Sequence, residues 1–98
     1  MIKNKKQKIP KNLDECFICL DKMKIDNFFN GEENQDTFDC HFLLGPLIIN
    51  DWGLSDHEKK GELRQFFIDN GVSHTDDMCS IILTSYHRYK NNNKLLIT

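Results

Sequence analysis

Apolar residues recur at intervals of three and four positions over residues 13–29, which is the spacing of one helix face. Asn12 is suited to cap this helix, and Glu15 three residues later completes an approximate capping box. The Asn30-Gly31 pair ends the pattern. The sequence therefore predicts a first helix whose buried face carries Leu13, Cys16, Phe17, Leu20, Met23 and Phe28.

Two more stretches with helical spacing follow in the C-terminal half. Ser55 would cap a helix over residues 56–70, and Gly71 suits the left-handed position after a helix end. Ser73 or Thr75 would cap a last helix over residues 75–90. The apolar positions are Leu63, Phe66 and Phe67 in one helix and Met78, Ile81, Ile82, Tyr86 and Tyr89 in the other. We expect the two helices to pack as a hairpin.

The segment between these helices is ambiguous. Residues 30–37 are polar and predict a loop. Phe38, Cys40, Phe42 and Leu44 alternate as they would on one face of a strand, and Gly45-Pro46 predicts a break after it. The predicted fold is therefore a compact, mainly α domain with a C-terminal helical hairpin, and a small α+β fold is the alternative.

Length and composition predict the class of the protein and its cellular location. The chain has 98 residues, of which 39% are hydrophobic and 29% charged, as in a soluble globular domain. It holds no apolar run near the roughly 18 residues of a membrane-spanning helix, and no signal peptide is recognisable. We expect a single globular domain over residues 13–90. The expected location is the cytoplasm, or the host-cell cytoplasm if the Asn- and Lys-rich composition reflects a phage or other mobile element.

Charge is distributed unevenly along the chain. Residues 1–12 contain five lysines and no acid, whereas residues 13–51 contain nine acids and two lysines. The first segment predicts a disordered basic tail that contacts nucleic acid weakly, and residues 91–98 predict a flexible C-terminal tail. The acidic body would repel phosphate, so no nucleic-acid face is expected there.

Cysteine and histidine spacing supplies the candidate chemistry. Cys16 and Cys19 form a C-x-x-C pair, and such a pair can place two thiolates on one zinc ion. Cys40 and His41 would complete the tetrahedron, with His57 as the alternative fourth ligand. These residues predict one structural zinc site that staples the fold.

Other interpretations of the same cysteines stay open. Cys16 also fits the buried face of the first helix, where a free cysteine acts as a small hydrophobe. Redox chemistry is less favoured, because no strand precedes the pair. The segment Glu15–Asp21 resembles the opening of a RING finger, but the chain lacks the later cysteine pairs that two zinc ions require. Cys79 is expected in the core, and His74 and His87 at the surface or near helix ends.

Three classes of function are compatible with these residues. The favoured class is a small non-enzymatic binding or regulatory protein that acts on a protein partner, because no phosphate-binding loop or catalytic triad is recognisable. Its candidate partner contacts are Trp52, Tyr86, Arg88 and Tyr89.

The two alternatives both involve nucleic acid. Residues 63–83 resemble a helix-turn-helix, although Asp76 and Asp77 would begin its recognition helix. His41, Asn50 and His57 follow the order of an HNH nuclease site, in which a metal ion would act at the phosphate. The sequence does not decide the oligomeric state.

Overall fold

The computed structural model describes residues 9–55 and 61–91. Within these ranges it contains four α-helices, one 3₁₀ turn and no strands, which confirms the prediction of a mainly helical compact domain. The helices are α1 (Leu13–Lys22), α2 (Glu33–Asp51), α3 (Glu62–Asp69) and α4 (Thr75–Lys90), and the 3₁₀ turn is Asp26–Phe29. Most of both predicted tails, residues 1–8 and 92–98, lies outside the described residues.

Helix α1 begins where the capping pattern predicts. The Asn12 side chain accepts a hydrogen bond of 2.9 Å from the Glu15 backbone N–H. The Glu15 carboxylate in turn accepts one of 2.9 Å from the Lys11 backbone N–H. The helix ends at Lys22 rather than at residue 29, because Lys24 adopts a left-handed φ of 56° and the chain turns there.

Helix α2 replaces the predicted strand and all of the predicted loop except residues 30–32. The Glu32 side chain caps it by accepting from the Gln35 backbone N–H at 2.8 Å, and Glu33 and Asp36 lie in its first turn. These carboxylates interact favourably with the positive end of the helix. The expectations of a loop over residues 33–37, of a strand and of a break at Gly45-Pro46 are therefore wrong, since the helix begins at Glu33 and continues through Pro46.

The turn between α3 and α4 follows the predicted helix end. The backbone N–H of Val72 donates to the Phe67 carbonyl at 2.8 Å, and that of Gly71 donates to the Ile68 carbonyl at 3.0 Å. Together these bonds form a Schellman motif. Gly71 has a φ of 85°, a left-handed conformation that glycine adopts without steric cost. The predicted cap at Ser55 cannot be compared, because residues 56–60 lie outside the described ranges.

Helix α4 is the centre of the core. It packs most extensively against α2 and also contacts α1 and the 3₁₀ turn, so its main partner is not the α3 of the predicted hairpin. Its junction with α3 is held at Leu54, whose carbonyl accepts from Arg64 Nη1 and from Thr75 Oγ1, each at 2.9 Å. The side chains with no exposed surface include Cys16, Leu20, Cys40, Ile48, Leu54, Phe67, Met78, Cys79, Ile82, Leu83 and Tyr86.

Candidate functional site

The surface of α2 carries large apolar side chains that the core does not bury. Phe38, Phe42 and Leu43 are 60%, 72% and 60% exposed. The rings of Phe38 and Phe42 meet edge to face with centroids 5.2 Å apart. Single exposed apolar residues are ordinary, but three on one helix, two of them with their rings in contact, mark a candidate interaction surface.

Phe38 and Phe42 belong to a longer accessible face, which we call the α2 stripe: Phe38, His41, Phe42, Pro46 and Ile49. Its members recur at intervals of one, three and four positions, so they form a continuous ridge on the helix. Two shallow grooves border it. The first groove, of about 360 Å³, lies between α2 and α4 and is lined by Asn34, Thr37, Phe38, His41, Phe42, Ser80 and Thr84.

The second groove, also of about 360 Å³, lies further along α2 and shares His41 and Phe42 with the first. It is completed by Gly45, Pro46, Ile49 and Asn50. From position 34 to position 50 the two grooves extend over about 24 Å at 1.5 Å per residue. That length matches four to five turns of a partner helix.

The formally charged side chains of α2 are all acidic. The helix carries Glu33, Asp36, Asp39 and Asp51, and it contains no lysine or arginine. Among the residues that the structure describes, neither groove is lined by a lysine or arginine. The α2 stripe is therefore apolar and lies on a negatively charged helix.

A buried histidine fixes α2 against α4. His87 Nε2 lies 3.1 Å from Asp36 Oδ2 and 3.1 Å from the Gly31 carbonyl oxygen. A carbonyl can only accept, so Nε2 carries the hydrogen. His87 lies in the last turn of α4, near a helix end, as expected. The alternative expectation of a surface position is wrong, because the residue is only 3% exposed.

An ion pair adjoins this histidine. Arg88 donates from Nε and Nη2 to the Glu33 carboxylate at 2.7 and 3.1 Å, a bidentate geometry. Hydrogen bonding from Arg88 lowers the pKa of Glu33 below its usual value. Together with the His87 contacts, this pair fixes the rotation of α2, so that the Phe38 and Phe42 edge of the helix faces solvent.

The structure does not bring the predicted zinc ligands together. Cys16 and Cys19 lie on α1, Cys40 and His41 lie on α2, and the alternative ligand His57 is outside the described residues. Over residues 9–55 and 61–91, no group of three or more His, Cys, Asp or Glu side chains is placed to hold a metal ion. Zinc binding stays a prediction.

The buried cysteines have thiols rather than thiolates at neutral pH. Burial is the main cause of the raised pKa of these thiols. The pKa of Cys16 is raised well above its usual value, that of Cys40 to about 11 and that of Cys79 to about 12. Zinc ligation needs thiolates, so a metal would have to offset this cost. Cys79 lies in the core, as the sequence predicts.

The raised pKa of Cys79 makes folding stability depend on pH. A thiol ionises near its ordinary value of 9.0 in the unfolded chain and near 12 in the folded one. The contribution of the Cys79 thiol to the free energy of unfolding is therefore complete below about pH 9. Between about pH 9 and pH 12 it falls by about 1.4 kcal/mol for each pH unit. We expect the Cys79→Ala variant to lose that part of the slope in urea unfolding curves recorded from neutral to alkaline pH.

The control for this measurement is Cys19→Ala, because Cys19 is only partly buried and its thiol should contribute less. Equal slopes for the wild-type protein and Cys79→Ala would show that the Cys79 thiol ionises in the folded protein as it does in the unfolded chain.

The predicted partner contacts occupy different environments. Trp52 and Tyr86 are buried in the core, and Arg88 is half-buried in its ion pair with Glu33. Tyr89 is 44% exposed, and its ring stacks on Phe17 with centroids 4.6 Å apart. Of the four, Tyr89 offers the most surface to a partner.

Sequence reasoning missed Phe38 and Phe42 as surface residues because their spacing also fits a strand. The available signal was their separation of four positions together with the acids at positions 32, 33 and 36, which indicate a helix start. The structure also brings His41 and Asn50 of the HNH interpretation to one groove, whereas His57 lies outside the described residues. Among the helices that are described, none is both long and apolar enough to cross a membrane.

The fold and this surface define a small, mainly helical domain with an exposed aromatic ridge on its longest described helix. A family model matches residues 9–90, and the chain therefore belongs to the family described as domain of unknown function DUF6794. No curated protein and no solved structure matches the chain.

Proposed function

We propose that this protein is a non-enzymatic binding domain whose α2 stripe binds a basic, amphipathic helix of a partner protein. The observation that carries the proposal is the exposure of Phe38 and Phe42 beside two grooves that follow one helix face. A partner helix that places apolar residues at positions i, i+4 and i+7 would fill these grooves in turn.

The charge of α2 selects the partner. Burying the two exposed rings favours any apolar surface, but a second copy of α2 would bring its exposed carboxylates, Asp39 and Asp51, toward those of the first. Like charges at an interface oppose association, and opposite charges favour it and speed encounter. The structure therefore favours a lysine- or arginine-bearing partner over self-association.

The nucleic-acid alternatives fit the fold less well. Helix α4 would be the recognition helix of a helix-turn-helix, yet its side chains Met78, Cys79, Ile82, Leu83 and Tyr86 have no exposed surface. Asp76 and Asp77 occupy its first turn and would face phosphate. A protein partner on α2 requires no change in this packing.

Two synthetic helical peptides of about 18 residues, long enough to span the surface, would test the proposal. Both carry the same stripe of leucines, and the polar face is lysine in one and glutamate in the other. We expect the lysine peptide to bind at least about tenfold more tightly than the glutamate peptide. The backbone amide chemical-shift changes that it causes in the protein should centre on residues 34–50 of α2. Equal binding of the two peptides would contradict the charge argument.

The matched variants are Phe42→Ser and Ile18→Ser. Both side chains are exposed, at 72% and 54%, but Ile18 lies on α1. We expect Phe42→Ser to weaken binding of the lysine peptide by about tenfold, and Ile18→Ser to leave it unchanged. Loss in both variants, or in neither, would place the binding site elsewhere.

A further inference from the structure

Asp39 is an exposed acid on the same face of α2 as several exposed apolar side chains. Phe42, Leu43 and Pro46 follow it by three, four and seven positions, so the four residues form one row along the helix. All four are exposed, and the Phe42 ring in this row contacts the ring of Phe38. The Asp39 carboxylate therefore lies beside the apolar surface on which the partner helix is proposed to bind.

The negative charge of Asp39 is not offset by a cation in the part of the chain that the structure describes. Its Oδ1 atom accepts a hydrogen bond of 3.0 Å from Gln35 Nε2, a neutral amide one turn earlier on α2. This is the one hydrogen bond of the carboxylate among the described residues. An ionised carboxylate offers about four acceptor sites, so Oδ2 can accept from a partner while the bond from Gln35 is kept.

The other three acids of α2 are less suited to bind a partner's cation. Glu33 and Asp36 already contact an arginine and a histidine of α4, at 2.7 and 3.1 Å respectively. Asp51 is the last residue of the helix, nine positions and about 13 Å beyond the second of the two exposed rings. Asp39 is therefore the acid of α2 that is both beside the rings and unpaired with a cation among the described residues.

We infer that Asp39 is the specificity-determining residue of the α2 stripe, and that its carboxylate pairs with one lysine or arginine side chain of the partner helix. This inference rests on the proposed function and names the residue that recognises the partner's positive charge. The aliphatic stem of the partner's side chain would pack on Phe42 and Pro46 while its charged end reaches Oδ2. The bound helix would also exclude water beside the rings, and the lower dielectric would strengthen the ion pair.

Charge reversal at position 39 tests the inference with the lysine and glutamate peptides. We expect Asp39→Asn, which keeps the shape of the side chain and removes its charge, to weaken binding of the lysine peptide about threefold. Asp39→Lys adds repulsion, so its loss should reach about tenfold, and it should bind the glutamate peptide more tightly than wild type does. If Asp39→Lys keeps the wild-type preference for the lysine peptide, the inference is wrong.

Asp69→Lys is the matched control. Asp69 is also exposed, and it also accepts from a glutamine amide four positions earlier, Gln65 Nε2 at 2.9 Å, but it lies at the end of α3. Both reversals change the net charge of the protein by the same amount. We expect Asp69→Lys to leave the affinities for both peptides close to those of wild type. Equal changes in the two variants would overturn the inference, because they would reflect net charge rather than position.

Salt separates the charge of Asp39 from its shape. The loss in Asp39→Asn should shrink at about 0.5 M salt, where attraction between exposed charges is screened, whereas the loss in Phe42→Ser should persist because it comes from apolar burial. A loss in Asp39→Asn that is equally large at high salt would contradict a role for the charge.

The failure of the inference is distinguishable from that of the proposed function. When Phe42→Ser weakens binding of the lysine peptide and Asp39→Lys does not alter the preference between the peptides, the stripe binds its partner without recognition by Asp39. When neither variant changes binding of the lysine peptide, both proposals are wrong.

Discussion

Replacing Tyr86 by alanine is expected to lower the free energy of unfolding by about 4 kcal/mol, a large share of the stability of a domain of this size. The Tyr86 ring has no exposed surface and packs edge to face on Phe29, with centroids 4.8 Å apart. Its hydroxyl donates to Asp21 Oδ1 at 2.6 Å. The substitution thus removes packing between α4, α1 and the 3₁₀ turn and also removes the hydrogen bond to α1. Urea unfolding followed by circular dichroism would measure the loss.

Tyr89→Ala is the matched control, since Tyr89 lies on the same helix but is 44% exposed. We expect it to cost about 1 kcal/mol. Tyr86→Phe keeps the ring and removes only the hydroxyl, so its cost should be intermediate, at about 1.5 kcal/mol. Similar losses for Tyr86→Ala and Tyr89→Ala would contradict the central position of Tyr86 in the core.

Replacing Pro46 by alanine is expected to raise the free energy of unfolding by about 2 kcal/mol. A proline in a helix interior costs about 3 kcal/mol relative to alanine, through the lost hydrogen bond and the clash with the preceding turn. Proline also restricts the unfolded chain. Replacing it lowers the free energy of the unfolded state by about 0.4–1 kcal/mol, which offsets part of the gain. The net stabilisation should appear as a higher urea midpoint with an unchanged slope.

Pro10→Ala is the control of opposite sign. Pro10 precedes α1, is buried, and interrupts no helix, so its replacement removes packing and chain restriction without restoring a bond. We expect it to destabilise the protein. If Pro46→Ala is also destabilising, the proline must fit its helix without cost.

The start of α1 and the end of α3 could be predicted because local and long-range signals agree there. Asn12 and Glu15 mark the start of α1, and Gly71 marks the end of α3 through bonds that involve neighbouring residues only. Apolar positions such as Leu13, Cys16 and Leu20 are also the buried ones. A helix whose cap, period and core face coincide leaves little for tertiary structure to decide.

Helix α2 could not be predicted because its local signals conflict. Its sequence alternates over positions 38–44, and Gly45-Pro46 argues against any helix through that point. Tertiary contacts decide the outcome, since Asp36 binds His87 and Glu33 binds Arg88, more than fifty positions away in each case. No short-range rule relates these pairs.

The candidate surface was missed for the same reason. On a strand, Phe38 and Phe42 share the buried face with Cys40, whereas on the observed helix Cys40 turns inward and both rings turn outward. The cysteine pattern was more visible but less informative, because a C-x-x-C pair fits both a metal site and a helix face. Only the position of Cys16 in the core shows that its thiol is buried.

The central position of α4 has a consequence for synthesis of the protein on the ribosome. Helices α1 and α2 and the 3₁₀ turn all pack against a segment that is translated after them. While the nascent chain grows, the inner face of α2, with Cys40, Leu44 and Ile48, can pack against the 3₁₀ turn but lacks its main partner until residues 75–90 emerge. Folding is thus close to a single late event, and a growing chain that lacks α4 is a substrate for chaperones and proteases rather than a partly folded domain.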